Sequence, residues 1–257
     1  MNSTTILDIS HVTLRFGGVT ALEDVSFTVQ SGDLFAIIGP NGAGKTSIFN
    51  CINGVYKPQK GSILFEGREL VGESPVNVAR QGVGRTFQNL GLFMNLNLID
   101  NLLLGRHLQM KTGFFSGALW WGRAKNEEII NRQKIEAIID LLELQPHRYQ
   151  SVGLLPYGIQ KRVELGRALA MEPRILLLDE PVAGMNLEET EDMARYILEI
   201  NNELGVSILL VEHDMAMVMD IADCVMALDF GQTIATGPPK DIQNNPRVIA
   251  AYLGEAS

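Results

Sequence analysis

The sequence of 257 residues predicts an α/β fold with a mostly parallel sheet, an antiparallel β subdomain at the N-terminus and a helical lobe. The first observation is a set of apolar runs at 34–38, 175–178 and 206–211, which alternate with helical patterns. Strands of this kind are typical of a parallel sheet covered on both faces. Apolar and polar residues alternate at 11–16 and 25–29, which predicts half-buried antiparallel strands.

The sequence also changes to helical character between about residues 90 and 160. Ile135, Ile138, Ile139 and Leu142 are spaced i, i+3, i+4 and i+7, so they form one apolar face of a helix. We therefore predict a single domain over 1–257, with its core at about 1–88 and 161–257 and its helical lobe at about 89–160.

Composition limits the classes of function. The 21 Lys and Arg residues and 30 Asp and Glu residues give a net charge of -9, so the chain has no overall attraction to nucleic acid. Cys51 and Cys224 lie far apart in apolar surroundings, and we expect free thiols in a reducing cytosol. The N-terminus lacks the features of a signal peptide, and no run approaches 18 apolar residues. Any membrane role is therefore expected to come through a partner.

The most informative segment is the octapeptide at 39–46, which matches the phosphate-binding pattern G-x-x-x-x-G-K-[ST] at every specified position. It lies between an apolar strand and a helical pattern, the context in which glycines let backbone N–H groups surround phosphates. Lys45 is expected to reach the β and γ phosphates of ATP, and the Thr46 hydroxyl to bind Mg²⁺. The predicted ATP-binding residues here are Gly39, Pro40, Asn41, Gly42, Ala43, Gly44, Lys45, Thr46 and Ser47.

Acidic and basic side chains follow two further apolar strands. Asp179 and Glu180 come at the end of one, where doubly wound folds place their ligands. Asp179 is suited to hold Mg²⁺ through a water, and Glu180 to polarise an attacking water. His213 follows the next strand in the same manner, so we expect it at the γ-phosphate edge of the site.

In the order and spacing of these motifs the chain resembles the ATP-binding subunits of ABC transporters, over essentially its whole length. The resemblance is closest to the ATPases of branched-chain (hydrophobic) amino acid importers. The details that carry it are Arg85-Thr86-Phe87-Gln88, Leu155-x-Tyr157-Gly158, Asp179-Glu180-Pro181, Ala183-Gly184-Met185-Asn186 and the ending at 245–255. It implies the P-loop NTPase core of an ABC ATPase, with ATP and Mg²⁺ as cofactors.

The resemblance also implies how the site is completed. Two copies, or this chain and a sister subunit, would hold two ATP molecules between them. Gln88 would join Glu180 and His213 in catalysis, and would join Thr46 and Asp179 around the metal. Phe16 would stack on adenine, although its alternating strand pattern also suits an ordinary core phenylalanine. The signature segment acting on the ATP of the other subunit would be Leu155, Pro156, Tyr157, Gly158, Ile159 and Gln160.

Two residues depart from the family pattern. Asn186 stands where many members carry aspartate, so the charge is lost. Pro156 stands where many carry serine, and proline has neither a hydroxyl nor an N–H to offer a phosphate. We therefore expect the dimer to close on ATP with weaker sensing of the γ-phosphate.

The implied partners are transmembrane permease subunits, a second ATPase subunit and, indirectly, a solute-binding protein, with no nucleic acid. The chain would then be peripheral, at the cytoplasmic face of the cell (inner) membrane. The aromatic-rich stretch 112–121, which includes Trp120 and Trp121, suits contact with a permease helix, contact with lipid headgroups or packing within the lobe. Cargo and the choice between homodimer and heterodimer stay open. Alternatives are urea, amides, aromatic acids, lipid or lipopolysaccharide export, and a soluble ABC ATPase acting on nucleic acid or ribosomes.

Overall fold

The computed structural model describes residues 4–86, 90–109 and 121–253, and the side chains at 108, 109, 121–127 and 253 lie outside that description. Strands and helices alternate along much of this length. In chain order the elements are β1 (Thr5–Phe16), β2 (Val19–Gln30), β3 (Leu34–Ile38), α1 (Lys45–Ile52), β4 (Lys60–Phe65), β5 (Arg68–Glu69), α2 (Pro75–Arg80), β6 (Val83–Arg85), α3 (Leu98–Gly105), α4 (Trp121–Leu141), α5 (Tyr157–Leu169), β7 (Ile175–Asp179), α6 (Leu187–Leu204), β8 (Ser207–Val211), α7 (Met215–Ile221), β9 (Cys224–Asp229), β10 (Gln232–Gly237), α8 (Pro239–Gln243) and α9 (Pro246–Leu253).

The chain divides into two compact units, one formed by 1–85 with 174–257 and the other by 86–173. A six-stranded sheet in the order β10-β9-β3-β8-β7-β6 is the centre of the first unit. Its strands pair in parallel except for β10, which is antiparallel to β9. Every residue of β3, β7 and β8 is buried, because helices and a second sheet leave neither face open to solvent. The prediction of a mostly parallel sheet is confirmed.

The second sheet of this unit has the order β2-β1-β4-β5, and its neighbours are antiparallel. It confirms the predicted N-terminal β subdomain. The rings of Phe27 and Phe35, one from each sheet, stack with their centroids 5.1 Å apart. The apolar faces of the two sheets thus share one core, which also buries Phe49 of α1.

Helix α6 shows how its sequence sets both of its ends. The Asn186 side chain accepts from the N–H of Glu189 at 3.0 Å, and the Glu189 carboxylate accepts from the N–H of Asn186 at 3.1 Å. This capping box satisfies two N–H groups that the helix cannot pair itself. The helix ends at Gly205, which has a left-handed φ of 66°. Leu204, in the last turn, is exposed.

In the second unit, helices α3 and α5 pack closely because glycines stand at their contact. A Cβ on Gly105 would lie 2.3 Å from the carbonyl oxygen of Arg167. A Cβ on Gly166 would lie 3.0 Å from side-chain carbons of both Leu102 and Leu142. This packing corrects the predicted lobe boundary. The unit extends over 86–173 rather than ending at residue 160, because α5 belongs with α3.

An ion cluster joins the middle of α4 to the residues that follow α3 and α5 in this second unit. Buried Arg106 donates to the Ala170 carbonyl and to the Asn131 side chain, both at 3.0 Å, and lies 3.1 Å from the Glu172 carboxylate. Lys134 also donates to Glu172. Burial alone would raise the pKa of Glu172, but the hydrogen bond from Lys134 and the charge of Arg106 hold that pKa below its ordinary value of 4.5. The predicted apolar face, formed by Ile135, Ile138 and Ile139 of α4 and by Leu142 just after it, is also buried.

Both cysteines are free thiols. Cys51, on α1, is buried, and this burial raises its pKa to about 12. Among the described residues, no helix combines the length and apolarity needed to cross a membrane.

Candidate nucleotide site

The phosphate-loop residues connect β3 to α1, and the backbone there needs glycine at two places. Gly39 has a φ of 151°, and a Cβ on it would lie 2.1 Å from the carbonyl oxygen of Leu228 on β9. Gly44 has a φ of 106°, and its Cβ would lie 2.6 Å from the carbonyl oxygen of Ala21. A side chain at either position would push the loop away from the sheet.

Lys45 begins α1 and is buried against its own loop. Its Nζ donates to the carbonyl oxygen of Pro40 at 2.9 Å and also to that of Gly39. The ammonium group therefore lies across the loop that the sequence predicts to surround the phosphates. Thr46, the predicted metal ligand, is exposed, and Ser47 is partly buried.

Asp179 ends β7, which is separated from β3 by one strand, β8, and its side chain is hydrogen-bonded to an arginine. Its side chain is 2% exposed, and Oδ2 accepts from Nη2 of Arg85 at 2.9 Å. Nη1 of Arg85 donates to Oδ1 of Asn50 on α1 at 2.7 Å, and the guanidinium lies 5.6 Å from the ring centroid of Phe49. Arg85 thus joins β6, β7 and α1 around the predicted metal ligand.

Arg85 was predicted only as part of the Arg85-Thr86-Phe87-Gln88 motif, with no role of its own. The sequence does contain one indication of an ion pair, since Arg85 ends β6 and Asp179 ends β7. Only the pairing of β6 with β7, which places Arg85 opposite Leu177, shows that these two ends are neighbours.

Glu180 follows Asp179 in a strained backbone conformation. Its φ is 50°, a left-handed value that is uncommon for residues other than glycine. Its N–H donates to the carbonyl oxygen of Val211 at the end of β8, at 2.9 Å. Strained residues held by their surroundings are frequent at functional sites, so this geometry suits the predicted catalytic base.

His213 and the residue before it follow β8. The His213 side chain is 59% exposed, and its Nδ1 lies 3.6 Å from Oε2 of Glu212. Glu212 is fully buried, and its carboxylate accepts three backbone N–H groups, from Val182, His213 and Asp214. No role was predicted for Glu212, because the local sequence does not show which loops an acid at a strand end will contact.

The topology brings most of the predicted site to one edge of the sheet. β3, β8 and β7 are parallel neighbours, so the phosphate loop, His213 and Asp179 with Glu180 all follow their carboxyl ends. Ligands bind at this edge in open α/β sheets. The roles of these residues remain predictions.

Phe16 ends β1 in the same unit. The residue is 48% exposed, and its ring meets that of Tyr56 edge to face, with the centroids 5.0 Å apart. It is therefore not the ordinary core phenylalanine that the strand pattern also allowed. A half-exposed aromatic ring remains available for stacking on a base.

The predicted signature segment lies in the second unit and is described by itself. Pro156 is the N-cap of α5, and its carbonyl accepts from the N–H of Gln160 at 3.0 Å. Gln160 Nε2 in turn donates to the carbonyl oxygen of Leu155 at 2.8 Å. Tyr157 is exposed, Gly158 is buried and Ile159 is partly buried. The segment is thus ordered by its own hydrogen bonds.

Some predicted residues fall outside the described part of the chain. Gln88, assigned to catalysis and metal binding, is one of them. Trp120 and the side chain of Trp121 are others. Their roles remain predictions.

Known proteins resemble this chain along its length. A family model described as ABC transporter matches residues 22–183, and one described as branched-chain amino acid ATP-binding cassette transporter matches 232–257. The high-affinity branched-chain amino acid transport ATP-binding proteins LivG of Salmonella typhimurium and BraF of Pseudomonas aeruginosa are 43% and 42% identical, with 98% of each chain covered. A solved structure, the ADP conformation of MJ1267, an ATP-binding cassette of an ABC transporter, is 31% identical with a TM-score of 0.85. That match covers 98% of this chain and 100% of the other.

Proposed function

The chain belongs to the ABC transporter family of ATP-binding proteins, and from this premise we propose that it hydrolyses ATP to power the import of branched-chain or related hydrophobic amino acids. The observation that carries the chemistry is the phosphate loop beside Asp179, Glu180 and His213, at the ends of three neighbouring parallel strands. The cargo is supported by the names of the relatives and by the family match at 232–257. That match favours amino acid import over the export of lipid and over a soluble ATPase acting on nucleic acid.

The residues of the phosphate loop suit a nucleotide polyphosphate. Gly39 and Gly44 leave no side chain between the loop and the neighbouring strands, which suits a loop whose backbone surrounds phosphates. The Lys45 ammonium supplies positive charge for the β and γ phosphates. Phe16 supplies a ring face for adenine.

The donor set also suits Mg²⁺, which prefers oxygen ligands. Thr46 offers a hydroxyl and Asp179 a carboxylate, and Gln88 would complete the set. When bound, Mg²⁺ supplies charge neutralisation at the phosphate oxygens.

Hydrolysis needs a group that takes a proton from water. Glu180 is the candidate base, because it directly follows Asp179 and is partly exposed. His213 is exposed at the end of the neighbouring strand, where its imidazole would donate a hydrogen bond to the γ-phosphate.

A second ATPase subunit, identical or related, would cover the nucleotide with its own signature segment at 155–160. Pro156 removes two phosphate donors from that segment, but the Gly158 N–H near the start of α5 remains. The chain would be held at the cytoplasmic face of the inner membrane by permease subunits that receive cargo from a solute-binding protein. The stretch 112–121 is our candidate for contact with them.

The catalytic assignment is tested by Glu180→Gln in the full-length chain. We expect ATP hydrolysis to be abolished while binding of a fluorescent ATP analogue is kept, because the amide cannot accept the proton of water. Glu203→Gln, an exposed exchange of the same kind on α6, is the matched control. Appreciable turnover by Glu180→Gln contradicts the assigned role.

The cargo is tested separately by uptake of labelled leucine into cells that lack this chain. We expect the unaltered chain to restore uptake and Glu180→Gln to fail. Uptake that is independent of the chain, alongside normal ATPase activity, would leave the enzyme assignment standing and refute the cargo.

A further inference from the structure

Glu212 is a fully buried acid that the proposed chemistry does not use. Its side chain has 0% exposure at the end of β8. A buried carboxylate is costly to the fold unless hydrogen bonds replace its lost water. Here Oε1 accepts from the N–H of Val182 at 3.1 Å, and Oε2 accepts from the N–H groups of His213 at 2.8 Å and Asp214 at 3.2 Å.

These three donors belong to two different loops. Val182 lies in the turn that leads from Glu180 to Asn186, the N-cap of α6. His213 and Asp214 lie in the turn between β8 and α7, and Asp214 caps α7 by accepting from the N–H of Met217 at 3.0 Å. One carboxylate therefore joins the loop after the candidate base to the loop that carries the histidine.

We propose that Glu212 is a positioning residue for ATP hydrolysis, whose carboxylate fixes the His213 backbone relative to the Glu180 loop without touching nucleotide. The inference rests on the proposed function of Glu180 and His213. A backbone hydrogen bond, from the Glu180 N–H to the Val211 carbonyl, also joins the ends of β7 and β8. A backbone hydrogen bond thus holds Glu180 itself at the end of β8, whereas the His213 N–H is bonded to the Glu212 side chain.

The chemistry of the contact explains why a carboxylate is needed. Two oxygens without hydrogens accept all three N–H groups. A glutamine of the same shape has one acceptor oxygen, and its NH₂ group would face an N–H donor on one of the two loops. Glu212→Gln therefore keeps the volume of the side chain and breaks one side of the connection.

The test compares Glu212→Gln with the matched exposed control Glu203→Gln in the full-length chain. Single-turnover hydrolysis of saturating Mg-ATP gives the rate, and a fluorescent ATP analogue gives the affinity. We expect Glu212→Gln to lower the rate at least tenfold and to change ATP affinity less than twofold. The control should change both less than twofold. A purely structural residue would lower rate and affinity together.

The dependence on histidine is the second readout. In a His213→Ala background, we expect Glu212→Gln to lower the remaining rate less than twofold, because the group that it positions is gone. Thermal unfolding checks that each variant is folded. If Glu212→Gln does not fold, Glu212→Asp takes its place, since it keeps the charge but is too short to reach both loops.

Two results overturn the inference. One is a wild-type rate for the folded Glu212 variant, and the other is a full tenfold loss that persists without the histidine. Either leaves the proposed function intact, because the unaltered chain remains active. An unaltered chain without ATPase activity refutes the proposed function and this inference together.

Discussion

Replacing Arg85 by methionine should destabilise the first unit strongly, and replacing Asp179 by asparagine in the same chain should restore much of the loss. Methionine keeps most of the length of arginine but donates no hydrogen bond. The single variant therefore leaves the buried Asp179 carboxylate without its guanidinium partner. The double variant removes that charge.

The magnitude follows from the burial of the pair. The two side chains are 6% and 2% exposed and lie 2.9 Å apart, and Arg85 also donates to Asn50 at 2.7 Å. Breaking a buried ion pair by removing one partner costs about 3–5 kcal/mol. Since domains are stable by only about 5–15 kcal/mol, Arg85→Met should lose a large part of the free energy of unfolding.

Urea unfolding followed by circular dichroism measures both variants without nucleotide. We expect Arg85→Met to lower the free energy of unfolding by about 3–5 kcal/mol, and the double variant to recover at least half of that loss. Two results would refute the reasoning. Arg85→Met within about 1 kcal/mol of the unaltered chain would place the pair among weak surface ion pairs. A double variant no more stable than the single one would show that the charge is not the cause.

Four other substitutions and treatments test separate features. Gly39→Ala should abolish binding of a fluorescent ATP analogue, because its Cβ would lie 2.1 Å from the Leu228 carbonyl oxygen; retained affinity would contradict the tight loop. Cys51, whose pKa is raised to about 12, should resist iodoacetamide at pH 8 in the folded chain and react on unfolding, as mass spectrometry of the labelled peptide will show. Glu172 has a lowered pKa, so its ionised form stabilises the fold above its ordinary value of 4.5, and this contribution is lost as the pH falls through the lowered pKa. Replacing Glu172 by glutamine should therefore cost less than about 1 kcal/mol at pH 7, since the side chains of Glu172 and Lys134 are both more than a third exposed, and nothing at the lowest pH in urea unfolding. Pro156→Ser should lower the KM for ATP of the assembled transporter, with a gain of at most about 1.5–3 kcal/mol; an unchanged KM would show that the missing donors do not matter.

Local patterns predicted the parts of the site that a short stretch of sequence encodes. The phosphate loop and the acids after Leu178 follow apolar strands directly, so their position at the sheet edge needed only the strand pattern. Asp179 and Glu180 were found in this way, and His213 by analogy with them.

The remaining features depend on contacts between distant segments. The partner of Arg85 follows from the pairing of β6 with β7, and the bonds of Glu212 follow from the neighbouring ends of β7 and β8. A single sequence does not show which strands are neighbours. The lobe boundary was misplaced for the same reason, since Gly105 and Gly166 show the packing of α3 with α5 only in three dimensions.

The capping box at the start of α6 changes how variation at residue 186 should be interpreted. Asparagine and aspartate begin helices about equally well, so either maintains the reciprocal bonds with Glu189. Helix geometry alone therefore confines this site to a few short polar side chains in any protein that keeps the turn. Asparagine at this position is therefore explained by the start of α6, whether or not the residue also takes part in transport.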